Sequence, residues 1–229
     1  MSSREVAIIT GASRGLGLAL ARELAGQGWR LVIDARGQDD LERAARELRE
    51  STEVHALAGD VTDAAHRHAL MDAAGRIDLL VNNASALGPS PQPELDAYPL
   101  ADLDGVIRVN VLAPLALIQL ALPRMEGGCV INVSSDAAAE PYPGWGGYGS
   151  SKAALDQLTA VLSAERPDLR VYAVDPGDMR TRLHQEAFPG EDISDRPPPA
   201  ESVPGLMALI DGSLPSGRYC ARELVSSAL

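Results

Sequence analysis

The sequence predicts a single α/β domain, residues 1–229, built on a doubly wound parallel sheet of about seven strands with helices on both faces. Short β-branched apolar runs alternate with helix-length stretches along almost the whole chain, and the spacings leave room for crossover connections. Hydrophobic residues make up 45% of the chain and aromatics only 3%. The core must therefore come from Ala, Val, Leu and Ile, as strands buried on both faces require. A chain of this length can bury one such core, and neither a linker nor an internal repeat marks a second unit.

Strand-like runs fall at Val6–Thr10, Arg30–Ala35, Val54–Ala58, Leu79–Asn82, Cys129–Val133, Arg170–Val174 and Gly217–Cys220. Helix-like stretches separate them: Gly15–Gln27, Asp39–Glu50, Ala64–Ala74, Asp102–Met125, Tyr148–Ala164 and Ser202–Ile210. Two proline-rich segments, Ser85–Pro99 and Pro176–Ala200, break the rhythm and read as irregular. Both follow strand ends, where a doubly wound sheet forms its ligand crevice. Residues 178–205 are thus expected to be a substrate lid, with a roleless surface loop the alternative for its tip at Gly190–Pro197.

A formal net charge of −12 argues against nucleic acid or an anionic membrane surface as partner, since both reward a basic face. The two cysteines, Cys129 and Cys220, read as reduced thiols in a cytoplasmic protein. Met1–Glu5 shows no signal-peptide pattern, and the apolar stretch Val111–Leu122, interrupted by Pro114 and Gln119, is too short to span a bilayer and reads as a buried helix. His55, His66, His68 and His184 lack metal-ligand spacing, so no metal is expected.

The first strand runs into Thr10-Gly11-Ala12-Ser13-Arg14-Gly15-Leu16-Gly17 and then into helix formers. Glycines at such a turn let backbone approach a pyrophosphate, which the helix end receives with N–H groups and a positive dipole. Gly11, Ser13, Arg14, Gly15, Leu16 and Gly17 are the expected contacts, although a plain glycine-capped turn is the alternative. Cofactor choice should lie in Asp34-Ala35-Arg36 at the second strand's end, where an acid would bind the ribose of NAD and an arginine the 2′-phosphate of NADP. Neighbouring strand residues face opposite sides, so Asp34 and Ala35 cannot both face the ribose. If Ala35 does, Arg36 and Arg14 can clamp a phosphate. That arrangement makes NADP(H) the preferred cofactor, with NAD(H) the alternative should Asp34 bind ribose.

Tyr148 and Lys152, at i and i+4 of a helix-like stretch, share one face. An ammonium at ~4 Å from a phenol, worth roughly 4 kcal/mol at an effective dielectric of ~20, would bring a pKa near ~10 close to neutrality. Such a phenol can act as general acid or base. Alone, the same spacing also describes a solvated helix face.

The pair does not stand alone. Asp60-Val61 follows the third strand, Asn82-Asn83-Ala84-Ser85 the fourth, Ser135 precedes the tyrosine, and Asp175-Pro176-Gly177 with Thr181 follows the sixth. Together with the glycine turn and Asn110, these pieces resemble, in order, the short-chain dehydrogenase/reductase family from Val6 to about Arg222. The family has a Rossmann-type fold. The resemblance implies hydride transfer between NADP(H) and a small carbonyl or alcohol. Tyr148 would exchange a proton with the substrate oxygen, Ser135 would donate to it, Lys152 would lower the tyrosine pKa and hold the nicotinamide ribose, and Asn110 would anchor a water leading to solvent. It also implies cofactor contacts at Asp60, Val61, Asn83, Ala84, Tyr148, Lys152, Pro176, Gly177 and Thr181, and, with the apolar helix Val106–Leu122, a homodimer or homotetramer.

Ser85 departs from the family's glycine and narrows the expected nicotinamide space. Ser134 is the rival to Ser135, since adjacent strand residues point oppositely. Tyr142 and Trp145 read either as a substrate wall or as aromatic packing onto the lid. The remaining functional alternative is an NADP(H)-binding sensor without significant turnover, a class expected to lack the tyrosine or the lysine.

Overall fold

The computed structural model describes residues 4–226. Residues 1–3 and 227–229 of the expected domain lie outside the described residues. Seven strands form one parallel sheet: β1 (Val6–Ile9), β2 (Arg30–Ala35), β3 (Val54–Ala58), β4 (Leu79–Asn82), β5 (Cys129–Val133), β6 (Arg170–Asp175) and β7 (Gly217–Cys220), in the order β3-β2-β1-β4-β5-β6-β7. The order reverses at β1, between β2 and β4, so the carboxyl ends of β1 and β4 open the crevice expected at a topological switch point.

Period-two alternation sorts each strand's side chains between two cores. Ala7, Ile9, Leu31, Ile33, Leu79 and Val81 face helices α1 (Gly15–Gly26), α2 (Gln38–Leu48) and α8 (Val203–Asp211). Val6, Ile8, Val32, Leu80, Val130 and Val171 face α3 (Ala64–Ala74) and α5 (Ala113–Ala121). Burial on both faces is what selects aliphatic residues at successive positions. Helix boundaries have local causes: Asp63 accepts from the Ala65 N–H at the start of α3, and Gly75, at φ +68°, ends it.

Helix α4 (Leu100–Ile107) continues through a π-helical turn, Arg108–Leu112, into α5 and a 3₁₀ turn, Leu122–Arg124. The helix expected over Asp102–Met125 is thus present over Leu100–Arg124, with the apolar stretch Val111–Leu122 inside it. The helix spans 25 residues and is, by length and composition, apolar enough to cross a bilayer. Leu117, Ile118 and Ala121 on its inner face are nevertheless buried in the second core.

The segment expected to be irregular after β6 contains a short helix, α7 (Arg182–Ala187), started by the Thr181 hydroxyl accepting from the His184 N–H. Its tip is folded rather than slack: the Arg180 N–H donates to the Pro197 carbonyl (2.8 Å), and Ile193 is buried. A further helix, α9 (Ala221–Ser226), follows β7. The longest helix, α6 (Gly146–Glu165), carries the tyrosine and the lysine.

Candidate active site

Polar residues converge where β1, β4, β5 and β6 end. Tyr148 and Lys152 lie one turn apart on α6, 6% and 2% exposed. Lys152 does not aim its ammonium at the phenol oxygen. Its Nζ donates to the Val133 carbonyl (2.7 Å) and lies 5.5 Å from the Tyr148 ring centroid. The expected net lowering of the phenol pKa is therefore not what the site displays. Burial pushes Tyr148 well above the ordinary phenol range, and the hydrogen-bonding hydroxyls of Ser85 and Ser135 pull it back only in part. Burial also lowers Lys152, to about 8, against the upward pull of the Asp156 carboxylate.

Ser135, not Ser134, faces the phenol. Ser134 is buried, its hydroxyl without a partner among the described residues. Ser135 caps a 3₁₀ turn, Asp136–Ala138; its hydroxyl donates to Asp136 Oδ1 (2.9 Å) and accepts from the Ala137 N–H (3.2 Å).

Asn110 sits in the π-helical turn, a feature frequent at functional sites. Its Oδ1 accepts from the Ser85 hydroxyl (3.1 Å) and the Ala86 N–H (2.8 Å), while Nδ2 donates to the Ala86 carbonyl and the Ser151 hydroxyl (each 2.9 Å). Four bonds exhaust a carboxamide, so that side chain has no capacity left to anchor the expected water. It ties the Ser85 loop to α6 instead. Among the described residues no non-glycine has positive φ, so Ser85 occupies the family's glycine position without backbone strain.

Across the crevice, Gly11 (φ +66°) and Gly15 (φ +59°) adopt left-handed conformations. A Cβ at Gly11 would sit 2.9 Å from Ala84 Cα, and one at Gly17 2.6 Å from Asn83 Nδ2, so only glycine permits this close approach. The Asn83 carboxamide donates to the carbonyls of Thr10 (2.8 Å) and Gly11 (3.1 Å), and the Thr10 hydroxyl accepts from the N–H groups of Asn83 and Ala84 (3.0 Å each). Thr181 faces Gly15, its Cγ2 lying 3.7 Å from where a Cβ would be. Gly177 (φ +73°) closes the Pro176 turn by donating to Asp175 Oδ1 (2.8 Å). Ser13, Arg14, Leu16 and Val61 lie on the turn or the loops beside it, Leu16 and Val61 buried and Arg14 exposed.

At the adenosine end Asp34 turns away from the crevice: it is 1% exposed and bonded to Gly11 and His66. Arg36 is exposed; against the upward push of burial, hydrogen bonds from the Thr62 N–H and hydroxyl, helped by the Arg36 charge, hold the Asp60 carboxyl below its ordinary range. The expected partnership of Arg36 with Arg14 is not preformed, because Arg14 is paired with Asp40 (2.6 Å), which also receives Arg43 (2.9 Å).

Arg218 has no motif signal. Its guanidinium reaches Asp156 (2.9 Å), the Ser135 carbonyl (3.0 Å) and Asp175 (3.9 Å), tying β7 to the serine turn and to α6. Trp145 stacks edge-on to Tyr148 (5.8 Å) and packs on Phe188 (5.7 Å) of the 178–205 segment, whereas Tyr142 is exposed and bonds to Asp136 (3.0 Å). The Ser90 hydroxyl donates to the Glu186 carbonyl (2.6 Å), joining the two proline-rich segments.

The family model for short chain dehydrogenases matches residues 5–192. The chain belongs to this family. Sulfoacetaldehyde reductase 2 of Chromohalobacter salexigens is 35% identical over 190 residues, which is 78% of this chain and 74% of the reductase. Among solved structures, an alcohol dehydrogenase from Thermococcus sibiricus complexed with 5-hydroxy-NADP superposes with a TM-score of 0.85 at 30% identity, covering 95% of this chain and 96% of that one. A short chain dehydrogenase from Shigella flexneri complexed with NADP superposes at 0.86 and 26% identity, covering 95% and 97%. This short-chain dehydrogenase is thus an NAD(P)-dependent oxidoreductase of the class acting on CH–OH and C=O groups.

Proposed function

We propose that the chain uses NADP(H) to interconvert a small carbonyl compound and its alcohol, with Tyr148 as general acid and base. The observation that carries this reading is the buried Tyr148 phenol, faced by the Ser85 and Ser135 hydroxyls and backed by Lys152. A dinucleotide fits the residues present: without a Cβ at Gly11 and Gly17 the glycine turn packs directly on Asn83 and Ala84, and it leads into the first turn of α1, which offers N–H groups for a pyrophosphate. Gly11 would let the turn approach the phosphates, which the backbone from Ser13 to Gly17, with Arg14, Gly15 and Leu16, would hold; Asp60, Val61, Asn83 and Ala84 would line the adenosine side, and Pro176, Gly177, Thr181, Tyr148 and Lys152 the nicotinamide half. Arg36 would meet a 2′-phosphate, and the burial of Asp34 supports NADP(H) by removing the carboxylate that would repel one. The two NADP-type complexes among the structural relatives point the same way.

When bound, the dinucleotide supplies or accepts the hydride. Tyr148 delivers a proton from its hydroxyl to the substrate oxygen in reduction and removes it in oxidation. Ser135 donates to the same oxygen as negative charge develops there. The Lys152 ammonium stabilises the phenolate left behind, and Asn110 holds the loop that presents Ser85. Residues 178–205 cover the crevice from the β6 side, with Phe188 against Trp145 as their contact with the site. Residues 1–229 act as one domain. Exposed Leu112 and Val161, on the long helix and on α6, support assembly into a homodimer or homotetramer, and two free thiols suit the cytoplasm.

A carbonyl-substrate panel followed by NADPH and NADH absorbance tests the reading. Turnover that favours NADPH and disappears in Tyr148→Phe is the expected result. Tight NADPH binding without turnover across the panel would replace it with a sensor.

A further inference from the structure

Among the buried groups that the proposed chemistry leaves unused are a carboxylate and an imidazole, 32 positions apart in the chain. Asp34 Oδ1 accepts from the Gly11 N–H (2.7 Å), Asp34 Oδ2 meets His66 Nε2 (3.0 Å), and the Asp34 main-chain carbonyl accepts from the Ala12 N–H (2.9 Å). Their side chains are 2% and 7% exposed. The contact has the geometry of an imidazole Nε2–H donating to a carboxylate oxygen. The ring lies against Gly59, where any Cβ would run into it, and the Gly59 N–H donates to the Ala35 carbonyl (3.0 Å). Three segments that border the adenosine half, namely the glycine turn, the end of β2 and the loop after β3, are thereby joined through one carboxylate.

We infer that Asp34 and His66 are positioning residues for the dinucleotide: His66 fixes Asp34, and Asp34 fixes the first two amides of the glycine turn. Two consecutive N–H groups, Gly11 and Ala12, are thus committed to Asp34, which leaves those from Ser13 onward to face phosphates. The left-handed Gly11 conformation needs such a holder, because a glycine turn released from it has many other conformations to visit. A buried carboxylate deprived of one partner must find another or draw in water, and the Gly11 N–H bond is the one put at stake. The pair touches the turn beneath the pyrophosphate and not the 2′-position. Its loss therefore weakens NADPH and NADH alike, in contrast to an Asp34 that binds ribose, whose loss would weaken NADH alone.

This inference rests on the proposed dinucleotide site but not on the choice between cofactors. The test is the dissociation constant of NADPH and of NADH, read by nucleotide fluorescence, for wild type, His66→Leu and His66→Gln, with kcat at saturating cofactor and the melting temperature measured alongside. His66→Leu should raise both constants about tenfold in the same proportion, with kcat within about twofold of wild type. His66→Gln, which keeps an N–H donor, should recover most of the loss. Unchanged constants with a lowered melting temperature would make the pair purely structural and overturn the proposal, as would a loss confined to NADH or to kcat. If His66→Leu does not fold, His66→Met, an unbranched apolar side chain without an N–H donor, carries the same comparison. A wild type that prefers NADH would sink the NADP(H) reading alone and leave this measurement standing.

Discussion

The proposed dinucleotide crevice has a nicotinamide end and an adenosine end, and the residues assigned to them are built in differently. At the first, Tyr148, Lys152 and Asn110 are nearly inaccessible, and each anchor is fixed by main chain or by another buried group: Val133 for the lysine, Ala86 and Ser151 for the asparagine. At the second, Arg14, Arg36 and Asp40 are solvent-facing, and Arg14 is held by an ion pair with side chains 47% and 38% exposed. Exposed pairs are weak and exchangeable. Reacting groups must keep one geometry through a reaction, whereas a phosphate site can gather its cations when the anion arrives. The chemistry is thus preorganised, and cofactor choice is left to surface charge.

The sharpest way to break that contrast is at the buried end. Tyr148→Phe keeps the ring against Trp145 and removes only the hydroxyl. Turnover should fall by about a thousandfold, in the range lost with a general acid, while the NADPH dissociation constant stays close to wild type. Retained turnover would mean that the preorganised group is elsewhere. At the exposed end Arg36→Ala should weaken NADPH by about tenfold and leave NADH unchanged, since one charge-assisted phosphate contact is worth roughly 1.5 kcal/mol; equal losses for both nucleotides would deny Arg36 a phosphate.

Asp40→Asn sharpens the comparison further. It frees Arg14 and Arg43 from a competing carboxylate at the start of α2. NADPH affinity should rise about threefold relative to NADH at low salt, and the gain should shrink as salt screens the site. A ratio indifferent to both would show that Arg14 does not exchange partners.

The same division explains what could be read from the sequence. The strand bounds at β2, β3, β4, β5 and β7 agree with the expectation residue for residue; for the central β4 and β5 and for β2 the cause is burial on two faces, which leaves a nearly unbroken apolar run. Helices α7 and α9, of six residues each, were not foreseen; a helix that short owes its existence to caps and docking, such as the Thr181 hydroxyl, and shows little periodicity. Asn110, Ser135, Tyr148 and Lys152 were picked out by order and spacing, and the structure brings them to one crevice. Their wiring was not legible. Ser85 on Asn110, His66 on Asp34 and Arg218 on Ser135 join positions 25, 32 and 83 residues apart, and no local pattern announces such pairs. The pKa argument from spacing also missed burial, which for Tyr148 outweighs every nearby hydrogen bond.

Burial of Lys152 makes the smallest prediction. With its pKa lowered to about 8, the lysine is charged below that pH and neutral above it. The charged form favours release of the Tyr148 proton to a carbonyl oxygen, so kcat/KM for NADPH in reduction, which reports the free enzyme, should decline as pH rises through about 8. Asp156 holds the lysine up and is itself neutralised by Arg218. Asp156→Asn removes the carboxylate and leaves the guanidinium, and both changes favour the neutral lysine. The alkaline limb should therefore move to lower pH by a fraction of a unit, with the plateau rate held. A limb that stays in place, or moves upward, would show that the group titrating there is not Lys152 and that the nicotinamide end is less insulated from solvent than its burial implies.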